Sequence, residues 1–162
     1  MKIRVVPQLY YREYKWQGEE KSVFDTPESG FWVEHNFITI RHSAENNPFC
    51  GIPVERPNIL RLQFDDVVEN PEGDLMLFNI EIAQQIKKFV LGIDQSKELY
   101  VNCAAGISRS GAVGDVLNDY FNRYPNFNAI DDYYFKQYNR QILPNPLVRN
   151  LLYKVFFDGD NR

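Results

Sequence analysis

The sequence predicts one α/β domain over residues 1–162, with a mostly parallel central sheet flanked by helices. Two observations predict this fold class. Short apolar segments typical of strands alternate along the chain with amphipathic segments typical of helices. The length of 162 residues, of which 44% are hydrophobic, suits one sizeable core. The 12 Phe, 10 Tyr and 2 Trp exclude an intrinsically disordered chain.

Residues 1–58 are predicted to supply N-terminal strands and a long loop. Ile3–Val6 and Phe37–Arg41 are rich in β-branched residues, which favour strands. The polar stretch 45–58 contains three prolines, and we therefore predict a loop there. Loops of this length in compact domains are often functional.

Residues 59–162 alternate strands and helices and form the predicted core. The first strand is Ile59–Phe64, in which apolar and polar residues alternate. A helix is predicted to begin after the N-cap Asp74 and to end near Gly92. Its apolar residues recur at spacings of three and four: Leu75, Phe78, Ile82, Ile86, Phe89 and Val90.

One further strand and three helices complete this order. The short apolar run Leu99–Val101 predicts the strand. Apolar residues over Val113–Phe121 predict the first helix, which must stop before the next proline. Two more helices are predicted around Ala129–Tyr138 and Leu147–Phe156, the second with Pro146 in its first turn.

Charge and composition exclude several classes of function. With 18 Lys and Arg against 22 Asp and Glu, the formal net charge is −4 and the basic residues are scattered, so we expect no nucleic-acid partner. No apolar run approaches a membrane span and no apolar leader is present, so we expect a cytoplasmic protein with no membrane partner. The two cysteines, Cys50 and Cys103, cannot form a zinc site, and no metal or cofactor is expected.

The segment that carries chemistry is the loop between the predicted strand at 99–101 and the helix that follows it. We call residues 103–110 the cradle. A small-residue loop that ends at a helix N-terminus can turn successive backbone N–H groups inward and bind phosphate. Arg109 can bind two phosphate oxygens, and the same positive potential lowers the pKa of Cys103 and makes it a nucleophile. The expected phosphate-binding residues are Ala104, Ala105, Gly106, Ile107, Ser108 and Arg109.

The pattern Cys-x5-Arg-Ser, after a strand and before a helix, resembles the signature of the protein tyrosine phosphatase superfamily. It is most similar to the dual-specificity subgroup, whose pattern is matched by Cys103, Ala105, Gly106, Ser108, Arg109 and Ser110. The stretch 139–146 also resembles the Pro-Asn turn that precedes the final helix in that subgroup. The resemblance implies a dual-specificity-phosphatase-like fold, with one phosphatase domain over residues 1–162 and its catalytic core over 59–162.

The resemblance also implies catalytic roles. Cys103 would form a cysteinyl-phosphate, and the Ser110 hydroxyl would donate to its sulfur and help the thiolate leave. The general acid of the family lies after a strand, about thirty to forty residues before the cysteine. Asp66, which is 37 positions before Cys103, takes that place, although the alternative of Asp65 stays open. Asp65 is more simply explained as the end of a strand.

One position departs from the family. A histidine usually precedes the cysteine, whereas this chain has Asn102. An asparagine side chain can donate hydrogen bonds but carries no positive charge, so the thiolate is expected to be less stabilised and turnover slower.

These features predict a metal-independent phosphomonoesterase that acts on phosphotyrosine in proteins or peptides, with phosphoserine and phosphothreonine as further candidates. One alternative is a weak or inactive phosphate-binding module, which Asn102 favours. Another is a phosphatase of phosphoinositides or RNA 5′-triphosphates. This second alternative is disfavoured because Ala104, Ala105 and Ile107 are uncharged, and such highly charged substrates require extra cations. Nothing in the sequence fixes the oligomeric state.

Overall fold

Four parallel strands form the central sheet. The computed structural model describes residues 1–13, 30–46 and 51–158. Within them the strands are β1 (Ile3–Pro7), β2 (Asn36–Arg41), β3 (Ile59–Gln63) and β4 (Leu99–Cys103), in the spatial order β1-β4-β2-β3. All three pairings are parallel, so the C-terminal ends of the strands meet at one edge of the sheet. The predicted α/β class with a mostly parallel sheet is confirmed.

Helices cover both faces of this sheet. They are α1 (Tyr10–Glu13), α2 (Phe31–Glu34), α3 (Ile80–Gly92), α4 (Arg109–Asn118), α5 (Ala129–Tyr138) and α6 (Pro146–Phe157). A π-helical turn, Asp119–Arg123, extends α4. None of the helices in the described ranges is both long enough and apolar enough to cross a membrane.

The core has two parts, one on each face of the sheet. Strand side chains alternate between the two faces, so Val101 and Tyr100 enter different clusters. The larger cluster contains apolar residues of α3, α4 and α6 and includes Cys103. The smaller cluster is mainly aromatic and combines α1 and α2 with the opposite face: Val6, Tyr11, Phe31, Trp32, Phe37, Ile52, Ile59 and Tyr100.

The predicted start of α3 was wrong. The helix begins at Ile80, six positions after the predicted N-cap Asp74, and its N-cap is Asn79. The side-chain Oδ1 of Asn79 accepts a hydrogen bond from the backbone N of Ile82 at 2.9 Å. Leu75, which was expected on the buried face of the helix, is exposed before it.

A loop takes the place of the first predicted turn of α3. Asp65 closes this loop by two hydrogen bonds to Met76. Its backbone N donates to Met76 O at 2.7 Å, and its Oδ2 accepts from Met76 N at 2.7 Å. Both backbone groups of Met76 are therefore bonded to Asp65 and are not available for the hydrogen bonds of a helix, so residue 76 stays non-helical.

The other predicted elements are found with shifted ends. The helix predicted over Val113–Phe121 begins earlier, at Arg109, and the strand predicted over Leu99–Val101 continues to Cys103. Of the predicted loop 45–58, residues 51–58 form turns and irregular structure. Residues 47–50, including Cys50, lie outside the described residues.

Candidate active site

The cradle lies at the C-terminal edge of the sheet, between β4 and α4. Gly106 lies at its most crowded point and has a positive φ of 67°. A Cβ there would lie 2.4 Å from both the carbonyl C of Val6 and the N of Pro7. Only glycine fits this position, since the backbone of β1 forms the wall behind the loop. Gln8 N strengthens this junction by donating to Cys103 O at 3.0 Å and Ala104 O at 3.3 Å.

Cys103 is the last residue of β4, and its side chain is only 3% exposed. Its Sγ lies 3.1 Å from the hydroxyl of Ser110. Burial acts to raise the pKa of the Cys103 thiol. Hydrogen bonds from the side chain and backbone of Ser110 and from the backbone of Ile107, with the charge of Arg109, outweigh burial and lower that pKa below its usual value. The surroundings of Cys103 therefore shift its protonation equilibrium towards the thiolate.

Arg109 begins α4 beside this sulfur. Its side chain is 6% exposed, and its Nη1 donates to the carbonyl O of Phe64, just after β3, at 2.9 Å. Its Nε is also buried, and no residue in the described ranges accepts a hydrogen bond from it. A buried guanidinium N–H without an acceptor is unfavourable, and a bound oxyanion would satisfy it.

The rest of the cradle is small and uncharged. Ala104, Ala105 and Ile107 are exposed, and Ser108 is half-buried. Residues 104–108 thus form an open loop between a buried thiol and a buried arginine. The structure brings together all the residues that the sequence predicted for phosphate binding.

The two aspartates after β3 have different surroundings. Asp65 is buried, and its carboxylate accepts hydrogen bonds from Ser43 N at 2.9 Å and Met76 N at 2.7 Å. Burial acts to raise the pKa of Asp65, but hydrogen bonds with Met76 and Ser43 and the nearby Arg109 charge lower it overall. Asp65 is therefore an ionised residue that holds two loops together.

Asp66 contacts the cradle directly. Its side chain is exposed, and its Oδ1 accepts hydrogen bonds from Ser108 Oγ at 2.7 Å and from Asn145 Nδ2 at 2.9 Å. The Asp66 carboxyl group thus lies at the rim of the cradle, whereas that of Asp65 binds backbone N–H groups of other loops.

Asn145 holds this arrangement together, although its sequence pattern indicates no role in the site. It is buried, and its backbone N donates to Ser108 O at 3.2 Å while its Nδ2 binds Asp66. Its Oδ1 caps α6 by accepting from Leu147 N and Val148 N. An asparagine before Pro146 at a helix start indicates an N-cap. Its contacts with the cradle and with Asp66 carry no comparable sequence signal.

Asn102 does not contact the sulfur. Successive strand residues face opposite sides of a sheet, so its side chain lies on the face opposite Cys103. There it is fully buried, and its Oδ1 accepts from the hydroxyl of Tyr11 at 3.2 Å. Burial, together with neighbouring Tyr10, raises the pKa of Tyr11 well above its usual value, which keeps that hydroxyl a donor. The hydrogen bonds that lower the Cys103 pKa come from the cradle itself, and Asn102 contributes none of them.

We therefore expect Ser110→Ala to raise the apparent pKa of Cys103, because it removes the side-chain hydrogen bond that favours the thiolate. The pH dependence of iodoacetamide alkylation, measured in a Cys50→Ala background, gives this pKa directly. Ser108→Ala is the matched control, since that hydroxyl binds Asp66 rather than sulfur. Equal midpoints in Ser110→Ala and the parent protein would contradict the role given to Ser110.

No protein-family model matches the chain. No curated protein matches it either. Solved structures that are similar to the chain include the following three. The human tyrosine phosphatase-like serine/threonine/tyrosine-interacting protein shares 23% identity and a TM-score of 0.49, over 82% of this chain and 86% of that protein. PTPMT1 in complex with PI(5)P shares 15% identity and a TM-score of 0.46, over 79% and 81% of the two chains. Tk-PTP in the active form shares 12% identity and a TM-score of 0.45, over 96% and 91%.

Proposed function

We propose that this chain is a cysteine-dependent phosphomonoesterase that hydrolyses phosphotyrosine in proteins or peptides. The observation that carries the proposal is the pairing of Cys103, whose pKa is lowered, with the buried Arg109 Nε, which has no acceptor within the described ranges. A nucleophile and an unsatisfied cationic donor at the two ends of one loop suit a tetrahedral oxyanion.

Hydrolysis takes two steps at this site. In the first, the Cys103 thiolate attacks phosphorus, the phosphorus–oxygen ester bond breaks, and protonated Asp66 gives its proton to the departing oxygen. In the second, Asp66 takes a proton from water, the water oxygen attacks phosphorus, and the phosphorus–sulfur bond breaks. Ser110 then donates to the returning thiolate. Arg109 and the backbone N–H groups neutralise the charge on the transferred group throughout.

The surface of the cradle supports a substrate with a single phosphate. Ala104, Ala105 and Ile107 add no charge, which leaves Arg109 as the one cation among residues 103–110. Phosphoinositides with several phosphates and RNA 5′-triphosphates need more positive charge than this. A phosphotyrosine needs one phosphate site and an apolar rim.

A second candidate, a phosphate-binding module without turnover, is favoured by Asn102, whose amide makes no bond to the cradle. The site argues against this second candidate, because it contains Cys103 and Ser110 in contact and Asp66 bonded to Ser108. Phosphate binding alone requires none of Cys103, Ser110 and Asp66.

We expect the protein to hydrolyse para-nitrophenyl phosphate in the presence of EDTA, and Cys103→Ser to abolish this turnover. The serine hydroxyl stays protonated at neutral pH and is a far weaker nucleophile than a thiolate. Cys50→Ser is the matched control, because it makes the same change at the cysteine outside the signature. Phosphate binding without turnover in the unmodified protein would favour the binding module, and turnover lost to EDTA would contradict the proposed chemistry.

A further inference from the structure

One short segment before α6 binds three successive carbonyl groups of the cradle. We call this segment, residues 141–145, the brace. Alternate residues of the brace each donate a hydrogen bond to the next carbonyl along the cradle. The three bonds are Gln141 Nε2 to Gly106 O at 3.3 Å, Leu143 N to Ile107 O at 3.1 Å, and Asn145 N to Ser108 O at 3.2 Å.

These bonds determine which way the peptide groups of the cradle face. In a trans peptide, the C=O of one residue and the N–H of the next point in opposite directions. A carbonyl held by the brace therefore turns the following N–H away from the brace. The N–H that follows the Gly106 carbonyl belongs to Ile107, and it donates a hydrogen bond to the Cys103 sulfur. The brace and the thiol thus bind the two sides of one peptide group.

The peptide group between Gly106 and Ile107 is held by a side chain. The other two donors of the brace are main-chain N–H groups, which every residue except proline supplies. Glycine tolerates a wide range of φ and ψ, so Gly106 does not fix the orientation of this peptide by itself. The amide of Gln141 therefore supplies a restraint that the local chain lacks.

The same amide also joins the cradle to the sheet. Gln141 Nε2 donates to Val5 O of β1 at 3.0 Å, in addition to its bond with Gly106 O. A primary amide has two N–H donors, so one nitrogen can bind both carbonyls. Since β1 also forms the wall behind Gly106, the Gln141 amide fixes this part of the cradle relative to that wall.

We propose that Gln141 is a positioning residue, whose side-chain amide holds the Gly106–Ile107 peptide so that the Ile107 N–H faces the Cys103 sulfur and the bound oxyanion. Gln141 acts through this peptide and takes no part in proton or phosphoryl transfer. The inference rests on the proposed function for the identity of the oxyanion, whereas the contact with the sulfur does not depend on it.

The first measurement is the pH dependence of Cys103 alkylation by iodoacetamide in a Cys50→Ala background. Gln141→Met keeps the length of the side chain and removes both donors. The Ile107 N–H is then held less firmly against the sulfur, and the thiolate loses part of its stabilisation. We expect the midpoint of alkylation to rise by about 0.5 pH units. Gln141→Asn, which keeps an amide but is one methylene too short to bind both carbonyls, should shift it in the same direction.

The second measurement is the affinity for tungstate, in Cys103→Ser protein. Gln141→Met should raise the Kd about fivefold, because an N–H that is no longer held towards the oxyanion binds it less well. The ratio of kcat for phenyl phosphate to kcat for para-nitrophenyl phosphate, measured with Cys103 present, should stay unchanged. The hydrogen bonds of Asp66 are with Ser108 and Asn145, so the loss of the Gln141 amide leaves the acid in place.

Gln95→Met is the matched control. Gln95 is also exposed, and its Nε2 also donates to a main-chain carbonyl, that of Val90 at 3.3 Å, but it precedes β4 at the opposite edge of the sheet. We expect this variant to change neither the alkylation midpoint nor the tungstate Kd. An unchanged midpoint or an unchanged Kd in Gln141→Met would overturn the inference, as would equal shifts in Gln95→Met or a changed ratio of the two kcat values.

The outcomes separate this inference from the proposed function. The expected shifts in midpoint and Kd, without hydrolysis in the unmodified protein, would leave the role of Gln141 standing and remove the enzyme. Hydrolysis in the unmodified protein, with no shift in Gln141→Met, would keep the enzyme and remove the role of Gln141. Thermal midpoints close to that of the parent protein show that the variants are folded.

Discussion

Arg109→Ala is expected to weaken oxyanion binding and turnover together, whereas Cys103→Ser is expected to abolish turnover and leave oxyanion binding in place. The guanidinium is buried, with Nη1 bonded to Phe64 O and Nε without an acceptor in the described ranges. Its removal takes away the charge-assisted bonds that the proposed function assigns to the bound phosphate. We expect the affinity for tungstate or phosphate to fall about a hundredfold, and kcat/KM to fall about a thousandfold.

Isothermal titration of tungstate into both variants measures this difference. Arg109→Lys is the matched control, since it keeps the charge but loses the planar pair of donors, and should recover only part of the affinity. Arg109→Ala also leaves the Phe64 carbonyl without its donor, so thermal midpoints must accompany the titrations. Equal tungstate affinities in Arg109→Ala and Cys103→Ser would show that the cradle binds anions without the guanidinium.

Asp66→Asn is expected to slow the hydrolysis of phenyl phosphate at least about a hundredfold, and that of para-nitrophenyl phosphate much less. Phenolate is a poor leaving group and needs a proton, which we propose that Asp66 supplies, whereas nitrophenolate leaves without one. An asparagine keeps the size of the side chain and can still bind Ser108, so the loss isolates the proton transfer. Steady-state kcat for the two esters gives the comparison.

Asp65→Asn is the control for this experiment, and its expected effect is on stability. The amide offers one acceptor where the carboxylate oxygens bind both Ser43 N and Met76 N, so one of these part-buried N–H groups loses its acceptor at a cost of about 1 kcal/mol. The lowered pKa of Asp65 means that its stabilisation is present above the ordinary aspartate pKa and is lost as the pH falls through the folded-state value. A dependence on the leaving group in Asp65→Asn, and none in Asp66→Asn, would reassign the acid.

The strand and helix on either side of the cradle are predictable from the sequence because their determinants are local. A strand, a run of small residues and a helix start follow one another within about fifteen positions, and the glycine in that run has the positive φ that the turn requires. The strands of the sheet are predictable for the same reason, since each has its own apolar pattern. The cytoplasmic location and the single-domain boundaries stay predictions.

Long-range contacts explain what the sequence did not predict. Asp74 and Asn79 are both good helix-capping residues, and the choice between them depends on Asp65, which binds residue 76 from 11 positions away. The bond between Asn145 and Asp66 joins residues 79 positions apart, and that between Tyr11 and Asn102 joins residues 91 positions apart. No periodicity in the sequence indicates such pairs.

The close approach at Gly106 constrains the backbone path of β1 but not the side chains of that strand. The atoms that would meet a Cβ there belong to the main chain of Val6 and Pro7 and not to their side chains. Amino-acid exchanges in β1 can therefore accumulate without altering the wall behind the phosphate, provided that the strand keeps its path. Residue 106 itself admits no exchange. The residues of the cradle can thus stay constant while the sequence of β1, which supports them through its backbone, changes until sequence comparison no longer detects it.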